Sequence, residues 1–187
     1  MEFLGDKADG KSITVAKCLD NAGPVLTRDE WFDIFTDIAE GIKALHEKGF
    51  LWNDLKEDNV VLVREDGSWR AKLIDFGWAT DITKPLVIPT DDEAIQAYRI
   101  HRKYGHLAPE CMLDGKPCST ASDVYALGRL LAVVGQEFDY EDFEGYGRYI
   151  MIVRRPESRP SVQEFIDRLF HLHLTEGGED GPGTSSC

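Results

Sequence analysis

Seven consecutive residues, Asn53-Asp54-Leu55-Lys56-Glu57-Asp58-Asn59, bring together a carboxylate, a cation and an amide. That set suits phosphoryl transfer. Asp54 can accept a hydroxyl proton, Lys56 can meet migrating negative charge, and Asn59 can offer an amide oxygen to Mg²⁺. A second carboxylate opens the triplet Asp75-Phe76-Gly77, 21 residues after Asp54. At the end of an apolar strand it can give another hard oxygen to a metal held by Asn59. Neither signal is specific alone, because charged loops are commonly solvated turns and such a triplet arises by chance.

The flanking elements are the ones such a site needs. Thr27-Arg28-Asp29-Glu30 has the spacing of a capping box, and Ile34, Phe35, Ile38, Ile42 and Leu45 then recur at three and four residues. This predicts an amphipathic helix that stops at Gly49. Val60-Val61-Leu62-Val63 and Trp69 to Ile74, joined through Asp66-Gly67, read as a β-hairpin. Residues 75–120 show little periodicity and carry Pro85, Pro89, Pro109 and Pro117; a stretch so long inside a domain is functional or disordered. A helix over about 121–135 is apolar on every side, which places it inside the fold. Two more are expected near 146–154 and 161–172, and the Gly-, Glu- and Ser-rich segment 175–187 reads as a disordered tail. No internal repeat is evident. The reading is a mainly α (α+β) helical bundle with a short β-hairpin beside the polar loop.

Composition narrows the classes. The 187 residues carry 21 Lys and Arg against 34 Asp and Glu, a formal charge of −13, which argues against nucleic-acid binding. With 42% apolar residues there is enough material for a core. No apolar run approaches the ~20 residues of a membrane span, so no membrane role is expected. Cys18, Cys111, Cys118 and Cys187 lack paired spacing and are expected as free thiols of an intracellular, cytoplasmic protein.

Taken in order, five motifs resemble the eukaryotic protein kinase family. D-L-K-E-D-N at 54–59 resembles the catalytic loop, and D-F-G at 75–77 the metal-binding triplet. A-P-E at 108–110 matches the end of the activation segment (75–110), D-V-Y-A-L-G at 123–128 resembles the start of the buried central helix, and R-P-S at 159–161 carries the late arginine. The likeness covers residues 1–174 as a kinase-like C-terminal large lobe. It implies Asp54 as catalytic base, Lys56 as stabiliser of the transferred phosphoryl group, and Asn59 and Asp75 as Mg²⁺ ligands. Glu110 and Arg159 would form a structural ion pair, and Asp123 would brace the catalytic loop. ATP would bind over Val61 and Ile74, with Glu2 and Leu4 in a hinge at 1–5; ordinary core roles stay open for Val61 and Ile74. The lysine in this loop resembles the Ser/Thr-directed branch.

Departures from the pattern matter as much. The likeness begins at the hinge, so the small N-terminal lobe is expected to be missing, and no G-x-G-x-x-G occurs; G-Y-G at 145–147 is misplaced for that role. Trp52-Asn53 replaces the family's His-Arg, which puts control by loop phosphorylation in doubt. Lys103 replaces a usual threonine and His106 a frequent tyrosine. The acidic run Glu137–Glu144 reads as a solvated loop or a site for a basic partner. Thr80, Thr83, Thr90, Tyr98 and Tyr104 are candidate phosphosites, and Arg99, His101, Arg102 and Lys103 form a basic cluster near the loop.

The resemblance therefore implies part of a protein kinase of Ser/Thr type, transferring the ATP γ-phosphate to protein hydroxyls when complete. The chain by itself is expected to be weakly active or inactive. Its partners would be a protein substrate or regulatory protein, or a missing small lobe or another kinase domain. The alternatives are a pseudokinase-like interaction module and a small-molecule phosphotransferase, the latter disfavoured by A-P-E and R-P-S.

Overall fold

The computed structural model describes residues 13–89 and 105–176. Strand β1 (Ile13–Thr14) leads into the short helix α1 (Val15–Leu19), then the long helix α2 (Arg28–Glu47) and strand β2 (Phe50–Leu51). The polar loop follows and ends in a 3₁₀ turn, Glu57–Asn59. The hairpin β3 (Val60–Glu65) and β4 (Ser68–Leu73) and the two-residue β5 (Thr80–Asp81) complete the strands. Helices α3 (Pro109–Met112), α4 (Thr120–Glu137), α5 (Glu141–Ile152) and α6 (Val162–Glu176) finish the described chain. The fold is mainly α, with two small antiparallel sheets ordered β1-β3-β4 and β2-β5.

Local chemistry explains the first half. The Glu30 backbone N–H donates to Thr27 Oγ1 at 3.2 Å and the Thr27 N–H to Glu30 Oε2 at 2.8 Å, closing the capping box of α2. Along α2, Trp31, Ile34, Phe35, Ile38, Ala39 and Ile42 are all fully buried. Each large side chain buried this way contributes roughly 1.5–3 kcal/mol. Lys48 caps the helix and Gly49 follows at φ +80°, a left-handed turn that disfavours a side chain. Asp66 and Gly67, at φ +51° and +88°, make the tight turn between β3 and β4.

Helix α4 is the axis of the second half. Val124, Leu127, Leu130, Leu131 and Val134 join one core with the inner face of α2 and with Phe165 and Leu169 of α6. Its tightest neighbour is α5. A Cβ at Gly147 would collide with the Gly128 carbonyl oxygen and the Ala132 nitrogen, so the two backbones touch where a methyl group cannot fit.

Residues 13–19 form β1 and α1, pieces too short to show a period, and Val15 and Cys18 are buried. Three expectations need correcting. The acidic run is mostly helical rather than a loop: Glu137 ends α4, a three-residue turn carries Asp139, and Glu141, Asp142 and Glu144 form the first turn of α5. Carboxylates are stabilised at a helix N-terminus, and Asp142 and Glu144 also pair with Arg28 at 2.5 Å and Arg148 at 2.6 Å. Helix α5 thus starts five residues earlier than its spacing suggests. Helix α6 runs through Glu176, two residues into the segment expected as tail.

Candidate active site

Two anchors shape the polar loop. The Asp123 carboxylate, 1% exposed near the start of α4, accepts the backbone N–H of Trp52 at 3.0 Å and of Asn53 at 2.8 Å. His46, in the last turn of α2, donates from Nε2 to Asp123 Oδ2 at 2.9 Å. Asn53 sits at φ +66°, a region asparagine enters more readily than most residues. Its side-chain Nδ2 donates to the Trp78 carbonyl and to Thr80 Oγ1, both at 2.9 Å. Further along, Arg129 of α4 donates to Glu57 Oε1 at 2.8 Å. Two helices and β5 therefore fix the loop before any functional side chain is considered.

At its centre Asp54 is 6% exposed. Lys56 Nζ lies 3.0 and 2.8 Å from its two oxygens, and Asn59 Nδ2 donates to Oδ2 at 2.7 Å and to the Asp54 carbonyl at 2.9 Å. His106 reaches Oδ1 from outside the loop, with Nε2 at 3.0 Å. Burial alone would raise the Asp54 pKa. The hydrogen bonds and charges of His106 and Lys56 outweigh it and hold the carboxyl below the usual carboxylate range. The result is an ionised carboxylate in a nearly dry setting.

The hairpin links the remaining oxygen donors. The Ile74 N–H donates to the Asn59 carbonyl at 3.0 Å, fixing the end of β4 against the loop and placing Asp75 one residue on. Asp75 is exposed, at φ +61°, and its Oδ1 accepts the Gly77 N–H at 3.2 Å. Trp52 Nε1 donates to the Asp75 carbonyl at 3.2 Å. With the Asn59 Nδ2 hydrogens committed to Asp54, Oδ1 is the atom it has for a cation. Among the described residues no cluster of three or more His, Cys, Asp or Glu side chains is arranged to hold a metal. A donor set of one amide and one carboxylate oxygen fits Mg²⁺, which keeps waters and phosphate oxygens in its shell.

Beyond the loop, Glu110 of α3 and Arg159 form a buried bidentate pair, Nη1–Oε1 at 2.6 Å and Nη2–Oε2 at 2.8 Å. Arg159 also donates to the carbonyls of Val153 and Ala121. Val61 is 2% exposed, yet it stands outside the main core that takes its neighbours Val60 and Leu62, as strand alternation requires. Ile74 is partly exposed. Glu2, Leu4, Thr90, Tyr98, Tyr104 and the basic cluster Arg99, His101, Arg102 and Lys103 lie outside the described residues, as does Cys187. Thr80 receives the Asn53 amide, and Thr83 Oγ1 donates to Asp81 at 2.7 Å. A cavity of about 710 Å³ lies elsewhere, between the end of α2 and the starts of α4 and α6, and includes none of Asp54, Lys56, Asn59 and Asp75.

Sequence reasoning gave no role to His46, Asn53 or His106. His46 stands four residues after Ile42 on the buried face of α2, a spacing that pointed inward. His106 was marked only as a replacement of a frequent tyrosine, and its contact with Asp54 depends on the chain folding back.

Comparison with known proteins gives one family. A protein kinase domain model matches residues 6–171. The chain is 36% identical over 111 residues to "Probable serine/threonine-protein kinase PBL17" of Arabidopsis thaliana, covering 58% of this chain and 23% of that protein. It is 30% identical over 106 residues to the inhibitor of nuclear factor kappa-B kinase subunit alpha of Xenopus tropicalis, covering 57% and 13%. Over 101 residues it is 37% identical to LysM domain receptor-like kinase 3 of Arabidopsis thaliana, covering 52% and 14%. The matched part is thus less than a quarter of each of these proteins.

Proposed function

Because the chain belongs to the protein kinase family, we propose that its 52–59 loop and Asp75 serve transfer of the ATP γ-phosphate to serine or threonine hydroxyls of a protein. The observation that carries this reading is the Asp54 carboxylate, buried, ionised and within 2.8 Å of Lys56 and 2.7 Å of Asn59. Asp54 accepts the hydroxyl proton as the nucleophile forms. Lys56, a third exposed, is free to swing from Asp54 toward negative charge on the transferred group. Asn59 and Asp75 would hold Mg²⁺, which would supply positive charge against the phosphate oxygens. Val61 and Ile74 offer apolar surface to the adenine. The Glu110–Arg159 pair fixes α3 as a platform for the peptide.

The test is transfer of labelled phosphate from Mg-ATP to a basic serine peptide by the purified chain and by Asp54→Asn. Incorporation by the wild type, at whatever rate, that the variant loses is the expected result. Equal incorporation by both, with no binding of Mg-ATP, would sink the reading. A second reading, a non-catalytic interaction module, draws support from Phe76 and Trp78, which are about half exposed beside the same loop.

A further inference from the structure

The Asp54 carboxylate has about four lone-pair directions, and four hydrogen bonds fill them. Lys56 supplies two, Asn59 one and His106 one. A substrate hydroxyl needs one of these places, so one donor must leave as it arrives. Burial decides which. The Lys56 side chain is 33% exposed on a flexible stem, whereas that of His106 is 7% exposed. The cavity beside His106, lined also by Asn53, Cys111, Cys118 and Asp123, holds about 10 Å³, room for at most one water. The imidazole has nowhere to turn.

An ionised carboxylate only accepts, so Nε2 carries the hydrogen of this bond. The backbone behind His106 is equally constrained. Two residues on, Ala108 is the N-cap of α3, and Glu110 within α3 is clamped by Arg159. We propose that His106 is a positioning residue for Asp54. It stays on Oδ1 while Lys56 departs, fixing the carboxylate with the lone pairs that Lys56 vacates open toward the substrate hydroxyl. It also couples the base to the segment that ends in α3, so the two are seated together. This rests on the phosphotransfer reading above, in which Asp54 is the base.

The experiment compares wild type with His106→Leu, which removes the donor, and His106→Gln, which keeps one at similar reach. His106→Asn, polar but shorter, replaces the leucine variant if that fails to fold. The expected result is a fall in kcat of about 10- to 100-fold for Leu or Asn, since small misplacements of a reacting group cost this much. KM for ATP and peptide should stay within about twofold, and Gln should recover most of the loss. In parallel, the ¹³C resonance of the Asp54 carboxyl, read by NMR at fixed neutral pH, should shift or split in Leu or Asn and stay near wild type in Gln. Unchanged kcat, or loss expressed only in KM, would overturn the proposal. If no form transfers phosphate, the functional reading fails, and the carboxyl resonance still decides the positioning: no change in the donor-free variant overturns it.

Discussion

Asp123 holds the backbone of Trp52 and Asn53 through both of its oxygens, at 3.0 and 2.8 Å, although about seventy residues of chain separate them. A third donor, His46, completes the shell around a carboxylate that is 1% exposed. The loop carrying Asp54 therefore takes its shape from a side chain of the central helix.

Replacing Asp123 by alanine leaves two buried N–H donors without an acceptor. Each such group costs about 1–3 kcal/mol, so a loss of about 2–6 kcal/mol of stability is expected. Urea unfolding measures it, and amide exchange at Trp52 and Asn53 should rise more than at the α2 core. Uniform exchange across the chain would show that the loop does not depend on this anchor.

The Glu110–Arg159 pair makes a different forecast, because both charges are buried. Glu110→Ala alone strands the guanidinium and should cost about 3–5 kcal/mol. Replacing both residues with apolar side chains of similar size should recover much of that loss, since the desolvation penalty disappears with the charges. A double-mutant cycle reads the coupling. Strictly additive losses would argue that Arg159 is held by the Val153 and Ala121 carbonyls instead.

These two contacts mark where the sequence was informative. Local rules were legible: the Thr27–Glu30 box, the Asp66-Gly67 turn and the apolar face of α2 all form where spacing puts them. The kinase motifs, read in order, gave the family before any geometry. Long-range closure was not legible. The His106 contact to Asp54 and the His46 contact to Asp123 arise from the fold and leave no local pattern. The start of helix α5 was misplaced for a physical reason: its acidic first turn reads as a loop. In the structure the acids sit at a helix N-terminus, and Gly147 is the contact point with α4.

That contact separates two neighbouring glycines. Gly147→Ala places a methyl group against the Gly128 oxygen and Ala132 nitrogen, while a Cβ at Gly145 meets nothing within 4 Å. Alanine is the better helix former by about 1 kcal/mol. Gly145→Ala should therefore raise the melting temperature, and Gly147→Ala should lower it despite the same propensity gain. Equal shifts in one direction would contradict close packing of α4 on α5.

Cysteine chemistry should follow burial. Cys18, Cys111 and Cys118 are free and buried. Burial pushes the Cys18 thiol up to about 11. A hydrogen bond shared with Cys111, then burial, raises the Cys118 thiol as well. Thiolate is the reactive form, so an aromatic disulfide reagent at pH 8 should modify Cys18 and Cys118 only after denaturant unfolds the chain. Rapid native reaction at either of them would mean local opening around that thiol.

Acid titration tests the setting of Asp54. Burial raises its pKa, but His106 and Lys56 outweigh that, so its folded value lies below the ordinary 3.8. A depressed folded pKa contributes stability that is present above the unfolded value, about 3.9, and is lost as pH falls through the folded value. Asp54→Asn removes this contribution. The difference in urea midpoint between wild type and variant should thus stay constant from pH 7 to about 5, then change below about 4, with the wild type losing stability faster. Parallel curves down to pH 2.5 would show that His106 and Lys56 do not favour the ionised carboxylate in the folded protein.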